Sequence, residues 1–181
     1  MTGDRPTDAE LLAGIGVRDL GAMRELYDRH MPWLSIRLSR RCGDAEVVAD
    51  ALQDTFVAVW QKPGGFSGRG DVAGWLWGIA IRRLISRLRG RRDIVLGYDH
   101  AKDPVVPAAE EQVLLAVEYG DVGQALAQLS PQLRAVIQAV VLDGLTAKEA
   151  ALLLQMPEGS VKTRLSRAKV QLRTALLEGL S

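Results

Sequence analysis

Two consecutive helices near the C-terminus have boundaries that the sequence marks residue by residue. Thr146 and Glu149 have the spacing of a capping box, so a helix is expected to begin there, and Pro157 and Gly159 are expected to end it. A longer helix follows, from about residue 158 to 180. Its apolar residues fall on one stripe at the helical period: Val161, Leu165, Ala168, Leu172 and Ala175. Two helices joined by so tight a turn predict a helix-turn-helix.

The opposite face of that second helix is polar and cationic. The residues on it or beside it are Ser160, Lys162, Thr163, Arg164, Ser166, Arg167 and Lys169. No carboxylate occurs between Lys162 and Arg173, whereas a face that is merely solvated usually mixes both signs. The second helix of a helix-turn-helix enters the major groove, where Arg and Lys donate to guanine and other cations meet phosphates. We therefore predict that this helix binds duplex DNA.

A second basic surface is expected earlier in the chain, although the net charge is only +1. Arginines crowd one short stretch without an acidic residue among them: Arg82, Arg83, Arg87, Arg89, Arg91 and Arg92. The stretch from Asp93 to Asp121 is acidic instead, with Lys102 as its only lysine or arginine. Basic surfaces are thus predicted on either side of an acidic connector.

The sequence offers few of the residues that a metal site, a cofactor site or a catalytic site requires. A structural zinc site needs about four Cys or His ligands, and the chain has only Cys42, His30 and His100. No Ser/His/Asp grouping and no paired carboxylates of recognisable spacing occur. We expect a protein that is not an enzyme, with no catalytic residue, no metal site, no cofactor and no small-molecule substrate.

The sequence predicts a cytoplasmic protein without direct membrane insertion. The chain does not open on a basic segment followed by an apolar run, and no apolar run approaches the length that spans a bilayer. With 48% hydrophobic residues, the chain can bury one core of moderate size or two small ones.

The predicted fold is all-α, because no segment shows the alternation of β-branched residues that favours strands. We expect two small helical domains joined by a flexible linker, the second a four-helix domain that contains the helix-turn-helix. Residues 1–18 form an N-terminal tail and short helix, 19–92 the first domain, 93–109 the linker and 110–181 the second domain. The expected helices are Asp8–Ile15, Asp19–Arg41 (kinked or split by Pro32), Ala45–Lys62, Asp71–Arg89, Glu110–Gln128, Pro131–Leu142, Ala147–Leu154 and Glu158–Leu180.

The helix predicted from Ala45 to Lys62 has an unusually ordered polar face. One side holds Asp50, Gln53, Asp54, Val57 and Gln61, which we call the acidic stripe, and the opposite side holds Val48, Leu52, Phe56 and Val59. An acidic stripe with one exposed valine is what a helix that docks on a partner requires, since charge orients the partner and the apolar spot gains from desolvation. A solvated face would look similar, so the residues alone leave both interpretations open.

Two stretches resemble bacterial sigma factors. Residues 50–60, DALQDTFVAVW, are similar to the helix by which sigma factors bind core RNA polymerase, and residues 161–169, VKTRLSRAK, to the recognition helix of their last domain. Both motifs, in this order and at this separation, resemble the compact sigma factors of the extracytoplasmic-function family. The likeness extends over roughly residues 19–178.

The resemblance implies a mechanism of promoter recognition. The acidic stripe would dock on bacterial core RNA polymerase, and 19–92 and 110–181 would correspond to sigma regions 2 and 4. Region 4 would read the −35 element as duplex, and region 2 would capture an unpaired −10 strand. The resemblance places a flipped −10 base at the loop with Phe66, Ser67, Gly68 and Arg69. It also suggests an anti-sigma factor as a further partner.

Further −10 contacts are expected on the next helix, at Trp77, Arg82, Arg83 and Arg87. Trp75 and Trp77 cannot share one helical face, so we assign Trp75 to the core and leave Trp77 partly exposed. The family often has Asn where this chain has Arg82. Arg can only donate hydrogen bonds, so the −10 preference is expected to differ, while Arg83 and Arg87 are expected to follow phosphates.

A stand-alone helix-turn-helix regulator, in which the first domain only dimerises or senses, is the alternative interpretation. It accounts for the C-terminal helix equally well. It gives no joint purpose to the acidic stripe and to the arginines between 82 and 92.

Overall fold

The structure, a computed structural model, describes residues 5–94, 120 and 122–178. Regular structure within these ranges is helical, and no strand occurs in them. The chain divides into two compact units, Met1–Leu96 and Gly97–Ser181. The prediction of two helical domains is confirmed. The predicted linker, 93–109, lies outside the described residues from residue 95 onward, and its exact bounds stay a prediction.

The first unit contains α1 (Asp8–Gly16), α2 (Leu20–Ser39), α3 (Ala45–Gln61), a short 3-10 turn (Pro63–Gly65) and α4 (Val72–Ile94). The first three helices each begin after a side chain that accepts hydrogen bonds from the first turn, namely Thr7, Asp19 and Asp44. The predicted starts of α1 and α3 are therefore confirmed. The helix α2 continues through Pro32, so the predicted split does not occur.

The core of the first unit lies among α1, α2, α3 and α4. The largest side chains sealed from solvent there are Ile15, Leu26, Leu34, Leu38, Val59, Leu76, Ile81, Leu84 and Ile85. The helical period of α2 predicts a core position for Tyr27, but Tyr27 is 40% exposed and packs its ring against Phe56 at a centroid distance of 4.7 Å. An aromatic ring can cover the core from its edge while its polar end remains in water.

A buried histidine fastens α1 to α2. The indole N–H of Trp33 donates to His30 Nδ1 at 3.0 Å, and His30 Nε2 lies 2.8 Å from the Asp8 carboxylate. Nδ1 is thus an acceptor, and Nε2 is the nitrogen that donates to Asp8. Arg29 donates to the other Asp8 oxygen at 2.6 Å. His30 therefore has a structural role.

The second unit contains α5 (residues 122–127), α6 (Pro131–Ile137), a π-helical turn (Gln138–Leu142), α7 (Ala147–Leu153) and α8 (Glu158–Glu178). The predicted helix from Glu110 is described only at its end, since residues 110–119 lie outside the described ranges. Pro131 occupies the first turn of α6, as predicted. A core cluster joins α5, α6 and α8 through Leu126, Leu129, Ile137 and Ala168.

The turn between α7 and α8 differs from the predicted one. The capping box is confirmed, because Thr146 Oγ1 accepts from the Glu149 N–H at 3.2 Å and Glu149 Oε2 accepts from the Thr146 N–H at 2.9 Å. However, Gly159 lies in the first turn of α8 and therefore does not end α7. The left-handed residue of the turn is Gln155, at φ 51°, and the chain reverses there.

We expect Leu34→Ala to lower the free energy of unfolding by about 2 to 5 kcal/mol, because it leaves a cavity at a fully buried site. Ile36→Ala, on the same helix at a position 55% exposed, should change it by less than about 0.5 kcal/mol. Urea unfolding of the full chain followed by circular dichroism measures both. Equal losses in the two variants would contradict this packing of α2.

Candidate docking and nucleic-acid interfaces

The acidic stripe lies along one side of α3, as predicted. Gln53, Val57 and Gln61 are exposed, whereas Asp50 and Asp54 are half-buried. The opposite side of the helix is buried and includes Val48, Leu52, Phe56 and Val59. Val57 is 46% exposed, so an apolar spot does interrupt the polar residues. The helical period alone was sufficient to predict this division of α3.

An open apolar groove of about 810 Å³ runs between α2 and α3 beside the stripe. Its apolar lining includes Leu20, Met23, Tyr27, Phe56, Val57 and Trp60, and Gln53 and Gln61 also line it. This groove was not predicted, because Met23 and Tyr27 share the helical spacing of the buried Leu34, and such apolar positions predict a core. The exposed residues of the stripe and the groove together form one continuous surface that a partner helix could cover.

The two carboxylates of the stripe bind an arginine of α4. Arg87 donates from Nε and Nη2 to the two oxygens of Asp54, at 2.7 and 2.8 Å, and from Nη1 to Asp50 at 3.2 Å. The Arg87 hydrogen bonds hold the pKa of Asp54 below its ordinary value. Arg87, predicted as a DNA contact, is therefore engaged by the helix predicted to dock on polymerase. Arg91 is bound similarly, by Asp44 and Glu46.

The loop between α3 and α4 combines a packed half with an exposed half. Phe66 is half-buried and its ring packs against Trp75 at a centroid distance of 5.8 Å. Ser67, Gly68 and Arg69 are exposed, and Gly68 has a φ of 74°, which favours glycine. The four residues predicted to hold the flipped base thus lie together, and the packing of Phe66 against Trp75 holds its ring in place beside the three exposed residues.

The prediction for the two tryptophans of α4 is wrong. Trp77 is 5% exposed and lies under Arg37, whose guanidinium carbon is 4.2 Å from the ring centroid, whereas Trp75 is only half-buried. Trp77 shares the helical spacing of Ile81 and Leu84, both sealed in the core, and that spacing is the feature of the sequence that indicates its burial. A ring so covered is unavailable for the predicted −10 contact.

Arg82 and Arg83 are exposed on α4, as a DNA contact requires. Arg82 Nη1 donates to the carbonyl of Gly78 one turn earlier, at 3.0 Å. A Cβ at Gly78 would lie 3.2 Å from that nitrogen, so the absence of a side chain at Gly78 provides the space that the Arg82 guanidinium occupies. The remaining Arg82 donors are available to a base or a phosphate.

The outer face of α8 is largely as predicted. Lys162, Thr163, Ser166, Arg167 and Lys169 are exposed, and Ser160 is half-buried. The predicted apolar stripe faces inward, with Val161 and Ala168 fully buried.

Two cations of α8 are less available than the sequence suggested. Arg164 is half-buried and donates to Met156 Sδ at 3.0 Å, which turns it toward the α7–α8 turn and away from the exposed face. Lys162 forms an ion pair with Glu158 at 2.6 Å and holds the pKa of that carboxyl below its ordinary value. Within the described residues, neither Arg167 nor Lys169 has an ion-pair partner.

A search for metal-binding groups of three or more His, Cys, Asp or Glu found none in the part of the chain that the structure describes. No described helix is both long enough and apolar enough to cross a membrane. Cys42 is a free cysteine, and burial raises the pKa of its thiol.

Comparison with known proteins agrees with this arrangement. The family model for "Sigma-70 region 2" matches residues 26–94, and that for "Sigma-70, region 4" matches residues 119–172. The ECF RNA polymerase sigma factor SigL of Mycobacterium tuberculosis is 34% identical over 173 residues, which cover 92% of this chain and 96% of SigL. The RNA polymerase sigma factor CnrH of Cupriavidus metallidurans is 30% identical over 186 residues, 96% of either chain.

A solved structure of CnrH in complex with the cytosolic domain of CnrY is 27% identical, covers 96% of this chain and 99% of that one, and gives a TM-score of 0.42. The two family regions follow each other in the expected order, one in each compact unit. The identity to SigL extends over nearly the full length of both chains. This chain therefore belongs to the extracytoplasmic-function (ECF) family of sigma-70 sigma factors.

Proposed function

We propose that this sigma factor docks on bacterial core RNA polymerase through α3 and then contacts promoter DNA with both of its units. Residues 19–92 would act as region 2 and 110–181 as region 4, with 93–109 between them. The single observation that carries the proposal is the exposed part of the acidic stripe, which borders an open apolar groove. The protein would act in the cytoplasm, where the polymerase works, by binding and without catalysing a reaction.

Docking on polymerase would combine charge with apolar burial. Asp50 and Asp54 keep a net charge of about −1 after pairing with Arg87, so the stripe still attracts a cationic partner. Val57 and the groove supply the apolar area that gives affinity once water is displaced. An anti-sigma factor that covered the same groove would block docking, and we propose such a partner for that reason.

Capture of the −10 strand would use the exposed residues around the start of α4. Ser67, Gly68 and Arg69 form the open side of the loop, and Phe66 supplies a ring against which an extruded base can rest. Arg82 and Arg83 lie on the same helix and are exposed to a passing strand. Trp77 has no place in this proposal, since it is buried.

Recognition of the −35 duplex would depend on the middle of α8. Ser166, Arg167 and Lys169 are exposed on the second helix of the helix-turn-helix, which is the element that enters a major groove. Thr163 and Lys162 precede them by one turn, while Ser160 and Arg164 would contribute from the edge. A stand-alone regulator would use the same face, but it would leave the groove and the stripe without a partner.

Changing the acidic stripe by Asp50→Ala, Gln53→Ala and Asp54→Ala together should weaken binding of core RNA polymerase at least tenfold, or about 1.4 kcal/mol. Binding of labelled protein to purified core measures this. Glu46→Ala, on the same helix outside the stripe, should bind core as the wild type does. Failure of the folded wild-type chain to bind core would refute the proposed function and favour the stand-alone regulator.

Arg167→Ala should lower affinity for promoter duplex by about 1 to 3 kcal/mol and relax the preference at one base position, because Arg donates two hydrogen bonds to guanine. Competition among duplexes that differ at single positions of the −35 element measures it. Gln171→Ala, at an exposed neutral position of α8, serves as the matched control. A uniform loss over all sequences would assign Arg167 to phosphate.

Lys169→Ala should reduce the salt dependence of duplex binding by about one unit, since each phosphate contact releases roughly one counterion. Its effect on sequence preference should be small, because phosphate contacts do not distinguish bases. Affinities measured over a series of salt concentrations give the slope. An unchanged slope would show that Lys169 does not contact phosphate.

A further inference from the structure

Arg87 lies between two surfaces that the proposed function keeps separate. It belongs to α4, the helix whose exposed arginines would follow the −10 strand, and Arg83 is one turn away on that helix. Its guanidinium, however, is bound across to α3 by both oxygens of Asp54 and one of Asp50. These two carboxylates belong to the stripe that would dock on polymerase. One arginine is therefore within reach of both surfaces.

The ion pair of Arg87 with Asp54 and Asp50 has the hydrogen-bond geometry of a strong pair, but it is exposed to solvent, as weak pairs are. Two parallel hydrogen bonds from Nε and Nη2 to one carboxylate match the planar fork of arginine, which lysine cannot reproduce. All three side chains nevertheless remain between 30% and 47% exposed. Exposed ion pairs contribute little net stability, so a competing cation can replace one partner at small cost.

We propose that Arg87 couples polymerase docking to DNA binding: Asp50 and Asp54 hold it in the free chain, and docking releases it to the −10 strand. The inference rests on the proposed function. A polymerase cation that approaches the two carboxylates competes for their oxygens and repels the Arg87 guanidinium. The released side chain then stands one helical turn from Arg83, where both can meet phosphates of the opened strand.

The structure supplies a comparison within the same pair of helices. Arg91 also crosses from α4 to α3, where it binds Asp44 and Glu46. Neither of these acids belongs to the acidic stripe, and Asp44 caps α3. Docking on the stripe would therefore leave Arg91 in place, and the coupling is expected at Arg87 and not at Arg91.

The first test uses the free full-length chain and a fluorescently labelled single-stranded oligonucleotide. Asp50→Asn with Asp54→Asn should raise affinity several-fold and steepen the salt dependence by about 0.7, the value for one additional phosphate contact on a single strand. Arg87→Lys, which keeps the charge but loses the parallel hydrogen bonds, should give a smaller gain in the same direction. The pair Glu25→Gln and Asp28→Asn, which removes two exposed carboxylates of α2 and releases no arginine of α4, controls for the change in net charge.

The same double change in an Arg87→Gln background should bring no larger gain than the control pair does, because no arginine is then released. An equal gain with and without Arg87 would overturn the coupling, since the effect would be one of net charge alone.

The second test compares the free chain with its complex at saturating core RNA polymerase. Arg87→Gln should weaken strand binding several-fold more in the complex than in the free chain, where Asp50 and Asp54 already hold the guanidinium. Equal weakening in both states would overturn the proposal, because Arg87 would then contact DNA before docking. If the wild-type complex binds the strand no better than core alone does, the proposed function itself fails. That outcome differs from a complex that binds the strand but does not depend on Arg87.

Discussion

The rotation of α3 about its own axis is the constraint on which the first unit depends. Its inner side packs Ala51, Thr55 and Val59 into the core, with no more than a trace of exposure. Each residue turns a helix by about 100°, so a shift of one position would take the acidic stripe off the surface. Asp44 fixes where the helix begins, since its carboxylate accepts from two N–H groups of the first turn. Stability and the proposed docking therefore require the same register.

Local features of the chain were enough to predict most of the helices and the inward face of α8. The caps at Asp44 and Thr146 and the stripe with Val161 and Ala168 depend on residues within two turns of each other. The errors came from contacts between distant residues. No pattern near Arg87 indicates that Asp54, 33 positions earlier, binds it. A charged block therefore predicts a basic surface, but the fold decides which of its charges remain available.

Aromatic residues show the same limit from another side. Trp75 and Trp77 were separated correctly onto two faces of α4, but their exposures were exchanged. The exposure of each ring depends on its tertiary neighbours. Arg37 lies over the ring of Trp77, whereas the ring of Trp75 packs against Phe66 of the preceding loop. A cation that covers a tryptophan face also gains from its quadrupole, so a buried ring beside arginines is a stable arrangement. Exposure of a large ring follows from its tertiary neighbours more than from its period.

The two units differ in whether the arginines and lysines predicted to bind DNA already form ion pairs within the chain. On α8, Arg167 and Lys169 have no ion-pair partner within the described residues, so affinity for duplex requires no prior exchange of partners. On α4, Arg87 and Arg91 are both held by carboxylates of α3. If these side chains bind a strand, their ion pairs must first be broken, which costs free energy unless another cation binds the carboxylates instead. Under the proposed function, contact with the −35 duplex would thus be intrinsic to the chain. Full affinity for the −10 strand would belong to the complex with polymerase.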